Sequence, residues 1–376
     1  MVDVLLHVTY DLRQFLVADL SMPKSSGTPS SRSKPRNNAE NKPPGLKEIA
    51  AYLKLSPATV SIVLNRAPLA ASLSEETRAR VLAAAKHFNY RPNLIARSLI
   101  KRESRTIGVI APESSDGYFT RVMHGLEGAL LDAGYLYFTA SHLSREDLIR
   151  EYPAALIQRG VDGLIFVNTP IHEHPGVPSV SISHRSEIEG IVNVLVDQES
   201  GMNAALKHLH SLGHRRILFM RGPEWSLDAE SRWKATLHAA QRLGLECPTE
   251  LQITLHATQL TTDIAFRTFT EFLQKPPQFT AICCFNDSAA MGAIRAMADV
   301  GLSCPKDISV LGFDDIGTAT YFLPRITTVA QPLELMGVRA TEWLISRIQK
   351  GAEPNHRNII LPVELLIRES TGPVSS

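Results

Sequence analysis

The sequence predicts a small all-helical head carried by an α/β body built on parallel sheets. Three observations carry that expectation. Residues 46–88 hold three short amphipathic segments, the second of which opens on Ser56-Pro57. From Thr106 onward, apolar runs of strand length alternate with amphipathic stretches of helix length, the pattern of parallel sheets covered by helices. The charge is also split. Residues 45–105 carry eleven Lys/Arg against four Asp/Glu, whereas 106–376 carry twenty-two against thirty, within a chain of net charge +1. A basic head on an acidic body suits a head that meets nucleic acid and a body that avoids it.

In the head, Leu46, Ile49, Ala50 and Leu53 share one face of a first helix. Ser56 is a good N-cap, and Pro57 fits the first helical position, where its missing N–H is not needed. Val60, Val63 and Leu64 then form the buried face of a second helix, while Ala58, Thr59, Ser61 and Ile62 project elsewhere. Two such helices joined by Lys54-Leu55-Ser56 make a helix-turn-helix, although by itself the pair is equally an ordinary helical hairpin. A third helix follows. Ser74 caps it, Glu75 and Glu76 suit its positive N-terminus, and Val81, Leu82, Ala85 and Phe88 are its expected apolar stripe.

Composition sets the class. The chain has 376 residues, 44% hydrophobic and 20% charged, enough for two or three domains of a soluble protein. It has no uncharged apolar run of about 18 residues, the length that would span a membrane. The four cysteines, Cys247, Cys283, Cys284 and Cys304, lack C-x-x-C spacing and read as reduced thiols. Residues 1–21 lack the positive start of a signal peptide, and 22–44 are rich in Pro, Ser, Asn and Lys. We expect 1–44 to be a disordered extension and the protein to be cytoplasmic; one hypothesis is that translation begins at Met22, which the intact mass of the native protein decides.

Past the head, "YRPNLIARSL" leads into the strand "TIGVIAPE". Then come "GVDGLIFV", "VPSVSISHR", "LVDQESG", "HLHSLGHRRILFM", "FNDSAAMGAIRAMADVGLSCPKDISVLGFDD" and "PRITTVAQPLELMG". In this order the motifs resemble the lactose-repressor/galactose-repressor (LacI/GalR) family of bacterial transcription regulators over residues 45–370. The resemblance implies a helix-turn-helix DNA-binding domain (45–92) and a hinge helix or linker (93–104). It further implies a periplasmic-binding-protein-like effector-binding and dimerisation domain with two parallel-sheet subdomains (105–370). Residues 371–376 are left as a tail. The implied function is a homodimeric repressor on double-stranded operator DNA, controlled by a small-molecule effector that is sugar-like or nucleobase-like. No cofactor is implied.

The resemblance also places residues. The second helix of a helix-turn-helix enters the major groove by its N-terminal residues. Pro57, Ala58 and Ile62 take the base-reading positions, and Ser56, Thr59, Ser61 and Asn65 face phosphate and groove. The family's hinge helix wedges a leucine into the minor groove, which matches Leu99, with Asn93, Ala96 and Arg97 beside it. A linker helix packing Leu94, Ile95 and Leu99 on its own domain is the alternative. Three departures stand out. Ile62 replaces the usual arginine, so a thymine methyl replaces guanine as its partner. Lys54 replaces the usual turn glycine. The 65–74 loop is longer by about three residues.

Open α/β sheets bind ligands beyond the carboxyl ends of their strands. Eight runs read as buried strands: "TIGVIAP", "YLYFTAS", "DGLIFVN", "PSVSIS", "RILFMRG", "LQITLH", "TAICCF" and "ISVLGFD". At their ends the resemblance places the effector site on Tyr118, Phe119, Asp197, Arg232, Asn286 and Asp314. Trp225 reads equally as a ligand-stacking ring and as a loop-packing one. "RWKAT" departs from the family's R-x-x-G-F. Asp315 reads as a structural partner of its loop. The histidines 208, 210 and 214, and "HEH" at 172–174, read as structural or solvated rather than metal-binding. No phosphate loop or nucleophile elbow is present, so an export-dependent binding protein or an α/β enzyme is the disfavoured alternative class.

Overall fold

The computed structural model describes residues 45–65, 68–90, 103–112, 117–223, 226–256, 261–351 and 357–374. The expected extension, most of the expected hinge (93–102) and Trp225 lie outside them. The chain divides into two units, 1–92 and 93–376.

The head unit has α1 (Leu46–Leu53), α2 (Pro57–Leu64) and α3 (Glu75–His87), with a 3-10 turn at Pro68–Ser72 taking up the lengthened loop. Ile49, Leu53, Val60, Val63 and Val81 close its core. Ser56 Oγ accepts from Thr59 N at 3.0 Å and Ser74 Oγ from Thr77 N at 3.2 Å, so both expected N-caps form. Lys54 sits in the left-handed region at φ 56 and ψ 39. Its N–H reaches the carbonyls of Ala50 and Ala51, while Arg80 donates to Leu53 O at 3.3 Å. Those bonds hold a conformation that strains a non-glycine residue by about 1–2 kcal/mol. One expectation fails. Leu82 is 54% exposed, and Ala84 takes its place beside Val81, because three residues rather than one return a helix to the same face.

The body unit runs β1 (Thr106–Ala111), α4 (Gly117–Asp132), β2 (Leu136–Ser141), α5 (Glu146–Gln158), β3 (Gly163–Val167), β4 (Ser179–Ile182), β5 (Ile191–Val196) and α6 (Gln198–Ser211). It continues with β6 (Ile217–Arg221), α7 (Leu227–Leu243), β7 (Gln252–Thr254), α8 (Thr261–Phe272), β8 (Ala281–Cys284), α9 (Asp287–Asp299) and β9 (Ser309–Asp314). The last elements are α10 (Gly317–Tyr321), β10 (Thr327–Ala330), α11 (Leu333–Lys350), β11 (Asn358–Leu361) and β12 (Glu364–Leu366). One sheet is ordered β11-β5-β4-β3-β1-β2 and is parallel throughout. The other is β12-β10-β9-β8-β6-β7, parallel except for β12 against β10. The chain therefore crosses between sheets three times: after β5, after β10, and between β11 and β12.

All eight expected strands are present, but β2 is not buried. It is the sheet edge, with Leu136 70% and Phe138 47% exposed. Four further strands, β5, β10, β11 and β12, were not among the expected runs. Polar residues inside β5 and β10 hide the apolar signal, namely Asn193, Thr327 and Thr328, all buried. Asn193 donates to Asn358 Oδ1 at 2.9 Å, and Thr327 N donates to Ser370 Oγ at 2.8 Å.

In the first subdomain α4 and α11 cross with backbone nearly touching backbone. A methyl added at Gly125 would lie 1.9 Å from Glu334 O, and one at Gly337 would lie 2.3 Å from Val122 O. Gly125→Ala is therefore expected to destabilise the protein by roughly 1–3 kcal/mol through overpacking, read as a lowered thermal melting temperature. Gly128→Ala, on the same helix but facing open space, should leave that temperature unchanged or slightly raised. Equal melting of the two variants would contradict the tight crossing.

Candidate nucleic-acid interface and effector site

At the start of α2, Ser56, Pro57 and Ala58 are exposed, and Thr59, Ser61 and Ile62 are half-buried. The apolar side of this helix goes to the head core through Val60 and Val63, so its small side chains are left facing outward. Ser56 and Thr59 hydroxyls bond each other at 2.8 Å. Asn65 folds back, donating to Ser61 O at 2.9 Å and Ser61 Oγ at 3.0 Å, so it caps the helix end. Asn93, Ala96, Arg97 and Leu99 lie outside the described residues.

In the body the strand ends converge on Arg232. This guanidinium is buried on α7. Its Nη2 donates to Asp228 Oδ2 at 2.6 Å and lies 3.9 Å from Asp314 Oδ1. Its Nη1 donates to Phe285 O at 2.5 Å, and its Nε to Gln198 Oε1 at 3.2 Å. The ring of Phe313 lies 3.7 Å beneath it and that of Phe285 4.9 Å away. A cation over an aromatic face is attracted by the ring quadrupole. Burial raises the Asp228 carboxyl above its usual range, against the pull of Arg232 and of Gln198 Nε2 at 2.7 Å. Asp314 ends β9 with a strained φ of 109 and accepts from Gln331 Nε2 at 2.6 Å.

The first subdomain supplies Tyr118 and Ser183, whose hydroxyls bond each other. Tyr118 packs against the cores of both subdomains, and burial followed by the charge of Asp228 raises its phenol well above the ordinary value. Across the same junction Arg121 Nη1 donates to Asp315 O at 2.9 Å. Asp315 also accepts from Arg368 Nη2 at 2.6 Å, the structural role expected of it.

The structure thus gathers Tyr118, Arg232 and Asp314. Phe119 goes elsewhere. It is 6% exposed in the first subdomain's core beside Val122 and Leu126, because one helical step turns it away from the face of Tyr118. Asp197 caps α6, accepting from Ser200 N at 2.9 Å, and Asn286 caps α9, accepting from Ala289 N at 2.8 Å. Both stand at strand ends, where Oδ1 of each serves as a helix cap. The sequence reading missed Asp228, Gln198, Gln331 and Ser183. Asp228 left a spacing signal, i,i+4 to Arg232 in "DAESR", and the other three stand in the quoted motifs "LVDQESG", "PRITTVAQPLELMG" and "VPSVSISHR". His214 is held by Thr280 at 2.9 Å, Ser309 at 3.1 Å and Gly372 O at 3.0 Å, a structural role. No group of three or more metal-ligating side chains occurs among the described residues.

Behind the site, Asp287 is fully buried. Its Oδ2 accepts from Ile316 N at 2.9 Å, while Oδ1 presses on Gly312, where an added methyl would lie at 2.2 Å, and has no partner. Burial pushes its carboxyl from 3.8 to about 7.

Arg232→Met leaves Asp228 uncompensated and should destabilise the protein by roughly 3–5 kcal/mol in denaturant unfolding. Adding Asp228→Leu to it should recover part of that loss, and no recovery would show that the pair is not the cause. Between about pH 4 and 7 the folded protein holds a proton on Asp287 that the unfolded chain has released. Its contribution to stability therefore falls as pH rises through that window. Asp287→Asn should stabilise the protein at pH 8 and change little at pH 4, as read from melting curves at both pH values.

Two family models match the chain: the bacterial regulatory proteins of the lacI family over residues 45–93, and a periplasmic binding protein-like domain over residues 206–371. The transcriptional regulator RegA of Clostridium saccharobutylicum is 30% identical across 87% of this chain and 98% of its own length. The transcriptional repressor PurR of Proteus mirabilis is 31% identical across 82% and 91%. Among solved structures, the Lac repressor dimer bound to operator and the anti-inducer ONPF superposes with a TM-score of 0.77. It shares 26% identity, over 88% of this chain and 100% of that one. A LacI family regulator from Enterococcus faecium with bound ribose gives a TM-score of 0.64 at 28% identity, over 72% and 100%. This chain belongs to the lacI family of bacterial regulatory proteins.

Proposed function

We propose that this protein is a homodimeric, cytoplasmic repressor that binds a pseudo-palindromic operator and is controlled by an uncharged polyhydroxylated effector. Ser56, Pro57, Ala58, Thr59, Ser61, Ile62 and Asn65 are its major-groove residues, and Asn93, Ala96, Arg97 and Leu99 its minor-groove element. The relatives are regulators, so we read the chain as a regulator and not an enzyme. Turnover of any sugar probe would refute that. The dimer is the expected unit because each head reads one half-site. The E. faecium relative carries ribose, and the Lac repressor structure is a dimer on operator DNA.

One observation supports this effector class. The charge of Arg232 is already balanced by Asp228 at 2.6 Å, and Asp314 adds a carboxylate at 3.9 Å. A phosphorylated or carboxylated effector would meet a neutral pair and a negative group. Hydroxyl donors find Asp314 as an acceptor, and Tyr118 and Ser183 offer hydroxyls across the junction. D-ribose and other neutral sugars are therefore expected to raise the melting temperature at millimolar concentration, and D-ribose 5-phosphate not to. Stabilisation by the phosphate alone would reverse the assignment. Selection from random duplex DNA at a stated salt concentration tests the other half of the function. A palindrome is expected, and an enriched site without two-fold symmetry would exclude the dimeric mode.

A further inference from the structure

The side of the head that the regulator reading turns to DNA is uncharged. Residues 55–65, which hold α2 and its approach, and 68–74, which hold the 3-10 turn and the cap of α3, contain no charged residue. Ser56, Pro57, Ala58, Leu69, Ala71 and Ser72 are exposed along them. Arg66, between the two stretches, lies outside the described residues. The described residues of the head carry five Lys/Arg against three Asp/Glu, and one of the five, Arg80, is bonded to Leu53 O at 3.3 Å.

A DNA duplex is a polyanion, and phosphate contacts from Lys and Arg supply a large share of a protein's affinity for it whatever the sequence. Neutral side chains on a reading helix can meet base edges but leave the phosphates unneutralised. A head of this kind needs its cations from elsewhere.

The stretch immediately upstream has them. Residues 22–44 carry Lys24, Arg32, Lys34, Arg36 and Lys42 against the single acid Glu40. The positive charge is confined to the part of the extension next to the head, since residues 1–21 carry three Asp and one Arg. After Met22 the stretch has no aromatic or branched aliphatic residue, so it cannot engage a partner by burying apolar surface. What it offers is Lys, Arg, Ser, Thr and Asn, the side chains that bond phosphate oxygens. It joins the head at Gly45, where the backbone enters α1 extended, at φ −78 and ψ 177. A chain of 23 residues reaches up to about 80 Å, against a head roughly 25 Å across, so it can meet a duplex docked on any side of that head.

We propose that residues 22–44 are a second DNA-binding element, a phosphate-holding arm that supplies the charge the reading helix lacks. The proposal rests on the regulator reading above and deepens it. Helix α2 selects the sequence, and the arm sets how tightly, and how salt-dependently, that sequence is held. A start at Met22 leaves the arm whole.

The test uses the full-length chain. One variant combines Lys24→Gln, Arg32→Gln, Lys34→Gln, Arg36→Gln and Lys42→Gln. A second combines Lys24→Arg, Lys34→Arg and Lys42→Arg, which keeps the charge. Affinity for the selected operator is measured from about 50 to 200 mM salt. Each phosphate contact given up makes the slope of log affinity against log salt shallower by about 0.9, so five contacts amount to about 4.5 for one arm and about 9 for the two arms of a dimer. For the Gln variant we therefore expect a slope shallower by about 4 to 9 and weaker binding at the low-salt end. It should select the same sequence as the parent, because phosphate contacts carry no sequence information. The Arg variant should keep the parent slope.

The proposal is overturned if the slope of the Gln variant changes by less than about 2, or if the Arg variant loses slope as the Gln variant does. It is also overturned if the Gln variant selects a different sequence, which would make the arm a reader of bases. If the parent selects no sequence at all, the regulator reading fails, while the same slopes on a random-sequence duplex still decide whether the arm holds phosphate.

Discussion

The body of this protein is organised around one buried cation. Arg232 leaves water only because Asp228, a main-chain carbonyl, a glutamine oxygen and two aromatic faces replace its hydration. An unpaired guanidinium could not be buried there. Each partner comes from a different place in the chain. Asp228 is one helical turn upstream, Phe285 follows β8, Phe313 lies in β9 and Gln198 begins α6. The strand ends have to arrive together for the charge to be accommodated. The charge thus ties the ends of β8 and β9 to helices α6 and α7.

The same logic separates the two units by chemistry. The head has a compact core of aliphatic residues and keeps its small polar side chains outside, where a close-approaching surface meets no bulk. The body turns its polar chemistry inward. Its reactive-looking groups are largely engaged with one another: Tyr118 with Ser183, Gln331 with Asp314, and Asp315 with Arg368. Burial pushes His142 and His184 down to about 4, so both imidazoles are neutral near pH 7. A wall of paired and neutral groups favours recognition by matching hydrogen bonds over attraction by net charge.

What could be read from the sequence follows from how local each feature is. Helix caps at Ser56 and Ser74 act within three residues, and the αL position of Lys54 sits in a turn whose length is fixed. Those were legible. So were the eight strands quoted as apolar runs, several of which carry a serine or threonine. Strands β5 and β10 were not, because Asn193 is satisfied by Ser186 and Asn358 and Thr327 by Ser370 and Thr371, partners that lie outside the strand's own pattern. At the site, Arg232 and Asp314 stand in recognisable motifs. Gln198 and Gln331 also stand in quoted motifs, but their bonds to Asp228, Arg232 and Asp314 join residues far apart in the chain and leave no spacing signal. Phe119 was misplaced for a smaller reason: adjacent helical residues point about 100° apart, so one of an aromatic pair had to face the core.

The three crossings also bear on how the chain is made. The first subdomain is not a contiguous stretch. Leu333, Met336, Ala340 and Leu344 of α11 close its core, and β11 forms an edge of its sheet. On the ribosome, which delivers the chain from its N-terminus, β1 to β5 emerge long before those pieces exist. Their apolar face must wait while the whole second subdomain is translated, and such waiting surfaces invite aggregation or chaperone capture. The second subdomain waits in turn for β12. Neither half can finish alone, so a chain stopped short of residue 361 yields two incomplete lobes rather than one intact one.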